Sequence, residues 1–187
     1  MRPRQLAPAL LAAAMLLAPR PARADDPSSS AQPFAAERDR FMLSRNTIVT
    51  TLGVWSAASL VGGALFTLDP PWMPKVAPSR AERRGFGVMT LSFAIVNSVF
   101  AVAGALGTSS LRRSLVDRPA LDHERHAGGS FFAVNAGLDM LYITAGALMF
   151  QRKTPWLRGF GMGALSQGGF LIGFDVSSAM TYRFGGR

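Results

Sequence analysis

The sequence predicts an all-α membrane protein, with four transmembrane helices set as two tandem helical hairpins behind a leader. Three observations carry that prediction. Four apolar stretches, Thr47 to Leu68, Phe86 to Gly107, Phe131 to Phe150 and Phe160 to Met180, are each about 20 residues long, which matches a hydrocarbon layer at about 1.5 Å per residue. They lack the polar outer face that a soluble helical bundle needs. Part of the first hairpin also recurs in the second. Arg84-Gly85-Phe86-Gly87 returns as Arg158-Gly159-Phe160-Gly161, and at the same offset Leu91-Ser92 matches Leu165-Ser166 and Phe100 matches Phe174. Such self-similarity suggests an internal repeat of two hairpins of one origin, running the same way across the membrane.

The first 24 residues read as a secretory signal peptide. Arg2 and Arg4 open it, Leu6 to Ala18 is its apolar run, and Ala22-Arg23-Ala24 fits the small-x-small cleavage rule, leaving Asp25 as the first mature residue. The formal charge of +9 falls to +5 once Arg2, Arg4, Arg20 and Arg23 leave with it. Residues 25 to 45 follow as a polar linker and, over Phe34 to Met42, a short amphipathic helix expected at the membrane surface. The four-helix domain then runs over residues 46 to 182.

The first span ends in a proline-rich loop, Asp69-Pro70-Pro71-Trp72-Met73-Pro74. The loop after the third span repeats its ending as Thr154-Pro155-Trp156, so Trp72 and Trp156 fall on one side and suit the interfacial belt. Thr108 to Gly128, between the second and third spans, reads as a longer loop of mixed charge. A cleaved leader places the mature N-terminus in the periplasm of a bacterial cell, with the chain multi-pass in the inner membrane. The positive-inside count runs against that orientation, with seven basic residues on the tryptophan side and nine on the other. The leader decides, because it acts first and all three of its parts are present.

Polar residues inside the spans are the candidates for function. Asn135, Asp139, Tyr142 and Gly146 share one face of a helix. Counting inward from the middle loop, Asn135 lies about 6 Å deep, Asp139 about 12 Å, Asp175 about 7 Å and Asn97 about 15 Å. The expectation is a buried polar network in two layers, Asn135 with Asp175 and Asn97 with Asp139, with Gln167 nearer the tryptophan side. No Lys, Arg or His lies inside any span, so an ionised carboxylate there would be costly; each acid should be neutral or hold a cation. Small residues at four-residue spacing, Ser59 with Gly63 and Gly169 with Gly173, together with Gly146, mark expected close helix contacts.

Several chemistries are excluded or unsupported. With no cysteine there are no disulfides, thiolate metal sites or thiol nucleophiles. His123 and His126 form a two-imidazole pair with no third ligand, and no span carries a histidine for haem. Gly159-Phe160-Gly161-Met162-Gly163 lacks the spacing and the preceding strand of a phosphate loop. No catalytic residue set, metal or cofactor is indicated.

Asn135-Ala136-Gly137-Leu138-Asp139-Met140-Leu141-Tyr142, with Gly159-Phe160-Gly161, Gln167-Gly168 and Phe174-Asp175, resembles a family of uncharacterised small bacterial four-helix membrane proteins, a domain-of-unknown-function family. The resemblance covers about residues 40 to 180 and is fullest in the last hairpin. The first hairpin departs from it: after Trp55 come Ser56 and Ser59, where the family carries a membrane asparagine. The resemblance implies fold and location. The function expected is that of a non-enzymatic membrane module with a buried polar network. Proton or cation transport through that network, and an integral-membrane enzyme, stand as alternatives. The partners expected are membrane lipids and either a second copy or another membrane protein, with no nucleic acid, because the positive charges flank apolar segments.

Overall fold

The structure, a computed structural model, describes residues 34–72 and 79–185. The leader and most of the polar linker therefore lie outside the described residues, as do Met73 to Pro78 of the proline-rich loop. Among the described residues the fold is all-helical, with no strand and four helices: α1 (Phe34–Leu68), α2 (Arg80–Ser114), α3 (Arg118–Phe150) and α4 (Pro155–Phe184).

Local chemistry sets the helix ends. α1 stops where Asp69 takes a positive φ of 49° and its N–H bonds Leu65 O at 2.9 Å; Pro70 and Pro71 cannot continue it. Ser79 caps α2 by accepting from the Glu82 N–H at 3.1 Å, with the glutamate three residues on as in a capping box. Asp117 caps α3 in the same way, accepting from the Ala120 N–H at 2.9 Å. Pro155 begins α4, its fixed φ suiting the first turn.

Two expectations about the connections are corrected. Thr108 to Gly128 is not a loop: α2 and α3 run through it, and only Leu115 to Asp117 turns the chain. Its arginines and leucines are good helix formers, and Pro119 falls in the first turn of α3, where it is tolerated. Phe34 to Met42 is not a separate surface helix but the first part of α1, with Phe41 and Met42 buried beside Leu121, Leu115 and Tyr182. Its apolar positions cover the ends of the other helices.

α1, α2 and α3 are each long and apolar enough to cross a membrane. α4 is not among them, because glycines, serines, Gln167 and Asp175 dilute its apolar content. It is nevertheless the most buried helix, with its polar residues Gln167, Asp175 and Ser178 turned inward. Large apolar side chains such as Val61, Val99 and Leu141 are more than half exposed in mid-helix, an outer surface that suits hydrocarbon rather than water.

α3 packs along α4, α1 along α2, and α2 along α4, whereas α2 and α3 have little backbone in proximity. Glycines set the spacing. Gly85 of α2 lies against the Trp156 carbonyl and Phe160 N–H of α4, and Gly159 of α4 against the Glu82 carbonyl of α2, so the two Arg-Gly-Phe-Gly segments cross at their own glycines. A Cβ on Gly63 would stand 2.9 Å from Leu91 N, and one on Gly146 3.0 Å from Gly161 O.

Ion pairs gather at the two ends of the bundle. At the tryptophan end Arg83 holds Asp69 at 2.6 and 2.8 Å, which raises its guanidinium above its ordinary pKa, and Arg158 pairs with the buried Glu82. At the other end Arg125 meets Glu37 at 2.8 Å and Arg112 meets Asp39 at 2.9 Å. Among the described residues, Asp139 and Asp175 are the only carboxylic acids in the band between.

Candidate functional site

A cavity of about 740 Å³ lies where α2 and α3 part. All four helices line it, chiefly with apolar side chains such as Val49, Leu52, Val96, Phe100, Leu138 and Leu171. Two aromatic pairs bridge α2 and α3 across it: Phe93 with Tyr142, centroids 5.1 Å apart, and Phe100 with Phe131 at 6.1 Å. Toward the α2–α3 turn its lining includes Arg45, Glu124 and Tyr182. Arg45 is engaged there, donating to Thr108 Oγ1 at 2.7 Å and to Gly104 O at 3.0 Å. Seven residues deeper along their helices, about 10 Å, stand Asn97 from Gly104, Asn135 from Gly128 and Asp175 from Tyr182.

The acids pair with each other. The Asp139 carboxyl on α3 lies within hydrogen-bonding reach of the Asp175 carboxyl on α4. Both residues are buried, at 4% and 6% exposure, and both line the cavity. The two-layer arrangement is therefore corrected. Asp139 reaches across to Asp175 rather than to Asn97, since α3 and α4 are in close contact and α2 stands off from α3. Asn97 is buried at 6% and also lines the cavity, but its Nδ2 has no hydrogen-bond partner, nor does Asp139 Oδ2. Asn135 is half-buried on the cavity wall one turn from Asp139, and Tyr142 is largely exposed, packed on Phe93.

Gln167 belongs to a separate cluster. Its Oε1 accepts from Trp55 Nε1 at 2.9 Å and its Nε2 donates to Ser59 Oγ at 3.2 Å. The Trp55 ring also stacks on Phe170, centroids 3.9 Å apart. Sequence reasoning passed over Trp55 and Arg45. The signals were an indole N–H deep in an apolar span, which needs an acceptor, and an arginine two residues before that span.

The close-contact residues divide. Ser59, Gly63 and Gly146 are buried at helix contacts. Gly169 and Gly173 are exposed, with nothing within 4 Å of an added Cβ, because the packed face of α4 runs instead through Gly161, Gly168 and Asp175. His123 and His126 are exposed on α3 rather than in a loop. No group of three or more His, Asp or Glu side chains that could hold a metal forms among the described residues.

No curated protein matches the chain, and no solved structure does. A family model described as a family of unknown function (DUF6992) matches residues 51–176, from mid-α1 to just past Asp175 and so across the whole acid pair. The chain belongs to that family.

Proposed function

We propose that this is a non-enzymatic integral membrane protein, a binding module that crosses the bilayer four times as two tandem hairpins and holds its polar groups around a cavity inside the membrane. One observation carries the reading: the adjacent carboxyls of Asp139 and Asp175 line a largely apolar cavity in the band that the ion pairs leave free. Carboxyl groups at that depth are expensive, and here they face a space rather than a packed interior. The fourth crossing is supported by the orientation of α4. Its polar residues point into the bundle while Met162, Val176 and Met180 point out. The reciprocal contact of Gly85 and Gly159 supports a common origin for the two hairpins.

The proposed setting is a bacterial inner membrane, with the leader removed and the mature N-terminus in the periplasm. Lipids would cover the outer face, and a second copy or another membrane protein would share it. Proton or cation conduction is less well supported. The polar groups beyond Asp139, namely Gln167, Ser59 and Trp55, bond one another and do not continue the line from the acid pair.

Single-cysteine labelling of intact cells and inverted vesicles tests the crossing pattern, and the chain has no native cysteine to interfere. Trp72→Cys and Trp156→Cys should label from the cytoplasm and Arg118→Cys from the periplasm. Labelling of Trp156→Cys and Arg118→Cys from the same side would remove a crossing and overturn the reading.

A further inference from the structure

Resting on the reading of a membrane-embedded binding module, we infer that the cavity between α2 and α3 holds a phospholipid of the surrounding bilayer. Its head is zwitterionic, a phosphate with a primary ammonium, and one of its acyl chains lies along the cavity.

Charge selects the head. Of the four charged residues that line the cavity, Asp139 and Asp175 lie deep, while Arg45 and Glu124 lie toward the α2–α3 turn. Twenty-three residues separate Arg45 from Leu68 at the far end of α1, about 34 Å of helix. Arg45 therefore stands at one edge of the hydrocarbon when the tryptophan end stands at the other. The Tyr182 hydroxyl ties the two charges to one place: Arg45 lies within hydrogen-bonding reach of it, and Glu124 is close enough to act on it through space. Among the described residues no ion pair joins Arg45 to Glu124, and the half-buried Glu124 carboxylate has no hydrogen-bond or ion-pair partner. Arg45 donates to Thr108 Oγ1 and to Gly104 O, which leaves it donors to spare among its five N–H groups. A cation and an unanswered anion at the membrane surface are complementary to a head that carries both signs. A primary ammonium brings three donors to Glu124, whereas a quaternary one brings none. A purely anionic head would meet the carboxylate as a like charge.

Shape selects the chain. The cavity lining from Gly104 to Phe93 on α2 covers about 16 Å of helix, and that from Gly128 to Tyr142 on α3 about 21 Å. One leaflet of hydrocarbon is about 15 Å deep. Most of the wall is aliphatic or aromatic, and Val96, Phe100, Phe131 and Leu138 are about half exposed along the gap. With little backbone of α2 and α3 in proximity, the slot opens sideways, so a chain can enter from the bilayer while its head stays at the surface. A second copy fits worse. The Phe93–Tyr142 and Phe100–Phe131 pairs bridge the gap with centroids 5.1 and 6.1 Å apart, which leaves no room for a partner helix about 10 Å across.

The test places the full chain in nanodiscs holding equal parts of three dioleoyl phospholipids, with ethanolamine, choline and glycerol heads. After transfer to detergent, native mass spectrometry reads which lipid stays bound. The ethanolamine lipid should be retained at least about tenfold over each of the others, the factor set by one hydrogen bond to a charged group. Glu124→Gln should melt like wild type and reduce that ratio several-fold, and Glu124→Lys should turn the preference to the glycerol lipid. In the transferred wild-type sample, a diazirine midway along the acyl chain of the ethanolamine lipid should label Phe100 and Leu138, which line the cavity, rather than Val61 and Leu141, which do not. Equal retention of the three lipids, an unchanged ratio in Glu124→Gln, or labels on Val61 and Leu141 instead would each overturn the proposal. A dimer free of lipid would overturn it in favour of a second copy. Should a variant fail to fold, the wild-type retention and labelling decide. Failure of these measurements with the cysteine pattern intact removes the lipid alone, whereas a lost crossing in the cysteine labelling removes the membrane reading with it.

Discussion

Trp55 of α1 and Gln167 of α4 are joined twice over. The indole N–H donates to Gln167 Oε1 at 2.9 Å, and the indole ring stacks on Phe170 one turn along the same helix. α1 and α4 otherwise have little backbone in proximity, so this side-chain joint fixes the first helix to the second hairpin.

Gln167→Leu should therefore lose about 1–2 kcal/mol, because it leaves the Trp55 N–H and the Ser59 hydroxyl without their partner. Trp55→Phe keeps most of the stacking and should cost about 1 kcal/mol. Thermal unfolding in detergent measures both. The double variant should cost less than the two singles together, since one bond is removed twice. Strict additivity would show that the two side chains do not act on each other.

Close helix contact makes a second prediction. Gly159→Ala drives a methyl into the Glu82 carbonyl and Gly85→Ala drives one into the Trp156 carbonyl, so each should destabilise by about 1–3 kcal/mol. Gly169→Ala meets open space and should be neutral or stabilising by up to about 1 kcal/mol through helix propensity. Melting temperatures in one detergent rank the three. A strong loss at Gly169 and none at Gly159 would reverse the assignment of the packed face.

The acid pair makes a third. Asp139→Asn keeps a donor and an acceptor for Asp175 and should change stability by less than about 1 kcal/mol. Asp139→Leu leaves the Asp175 carboxyl alone at 6% exposure and should cost about 1–2 kcal/mol. Indistinguishable unfolding of wild type and both variants would mean that the Asp139–Asp175 contact contributes nothing to the fold.

The leader gives the fourth. N-terminal sequencing of the membrane-bound protein should begin at Asp25, the residue after Ala22-Arg23-Ala24. Finding Met1 or Arg2 there would mean that the leader is retained.

Helix content was legible in the sequence because apolar runs and the capping residues Ser79 and Asp117 are local signals. The helix ends were not. The residues from Thr108 to Gly128 are charged enough to look like a loop, yet they carry no proline or glycine pair that stops a helix until Asp117-Arg118-Pro119, and they continue as helix beyond the apolar band. The site was half legible. Depth counting set Asn97, Asn135, Asp139 and Asp175 in two adjacent layers, and all four line one cavity. Their pairing depended on which helices touch, which no periodicity contains. α3 lies on α4 and stands off from α2, so Asp139 sits beside Asp175 and Asn97 Nδ2 is left buried without a partner. Spacing also misled at Gly169 and Gly173, since a small-residue stripe says that close approach is feasible without saying which face has a neighbour.

The burial of α4 bears on the order of synthesis. α1, α2 and α3 leave the ribosome first, and each is apolar enough to partition into lipid on its own account. α4 comes last and brings Gln167, Asp175 and Ser178, which are tolerable in a bilayer only against Trp55, Ser59 and Asp139 already in place. On the four-crossing reading its insertion is thus a docking event, templated by the earlier helices rather than driven by hydropathy. Nascent chains stalled with α4 just clear of the ribosome should keep that segment protease-sensitive in a Trp55→Ala, Asp139→Leu background and protected in wild type. Equal protection in both would mean that α4 needs no template.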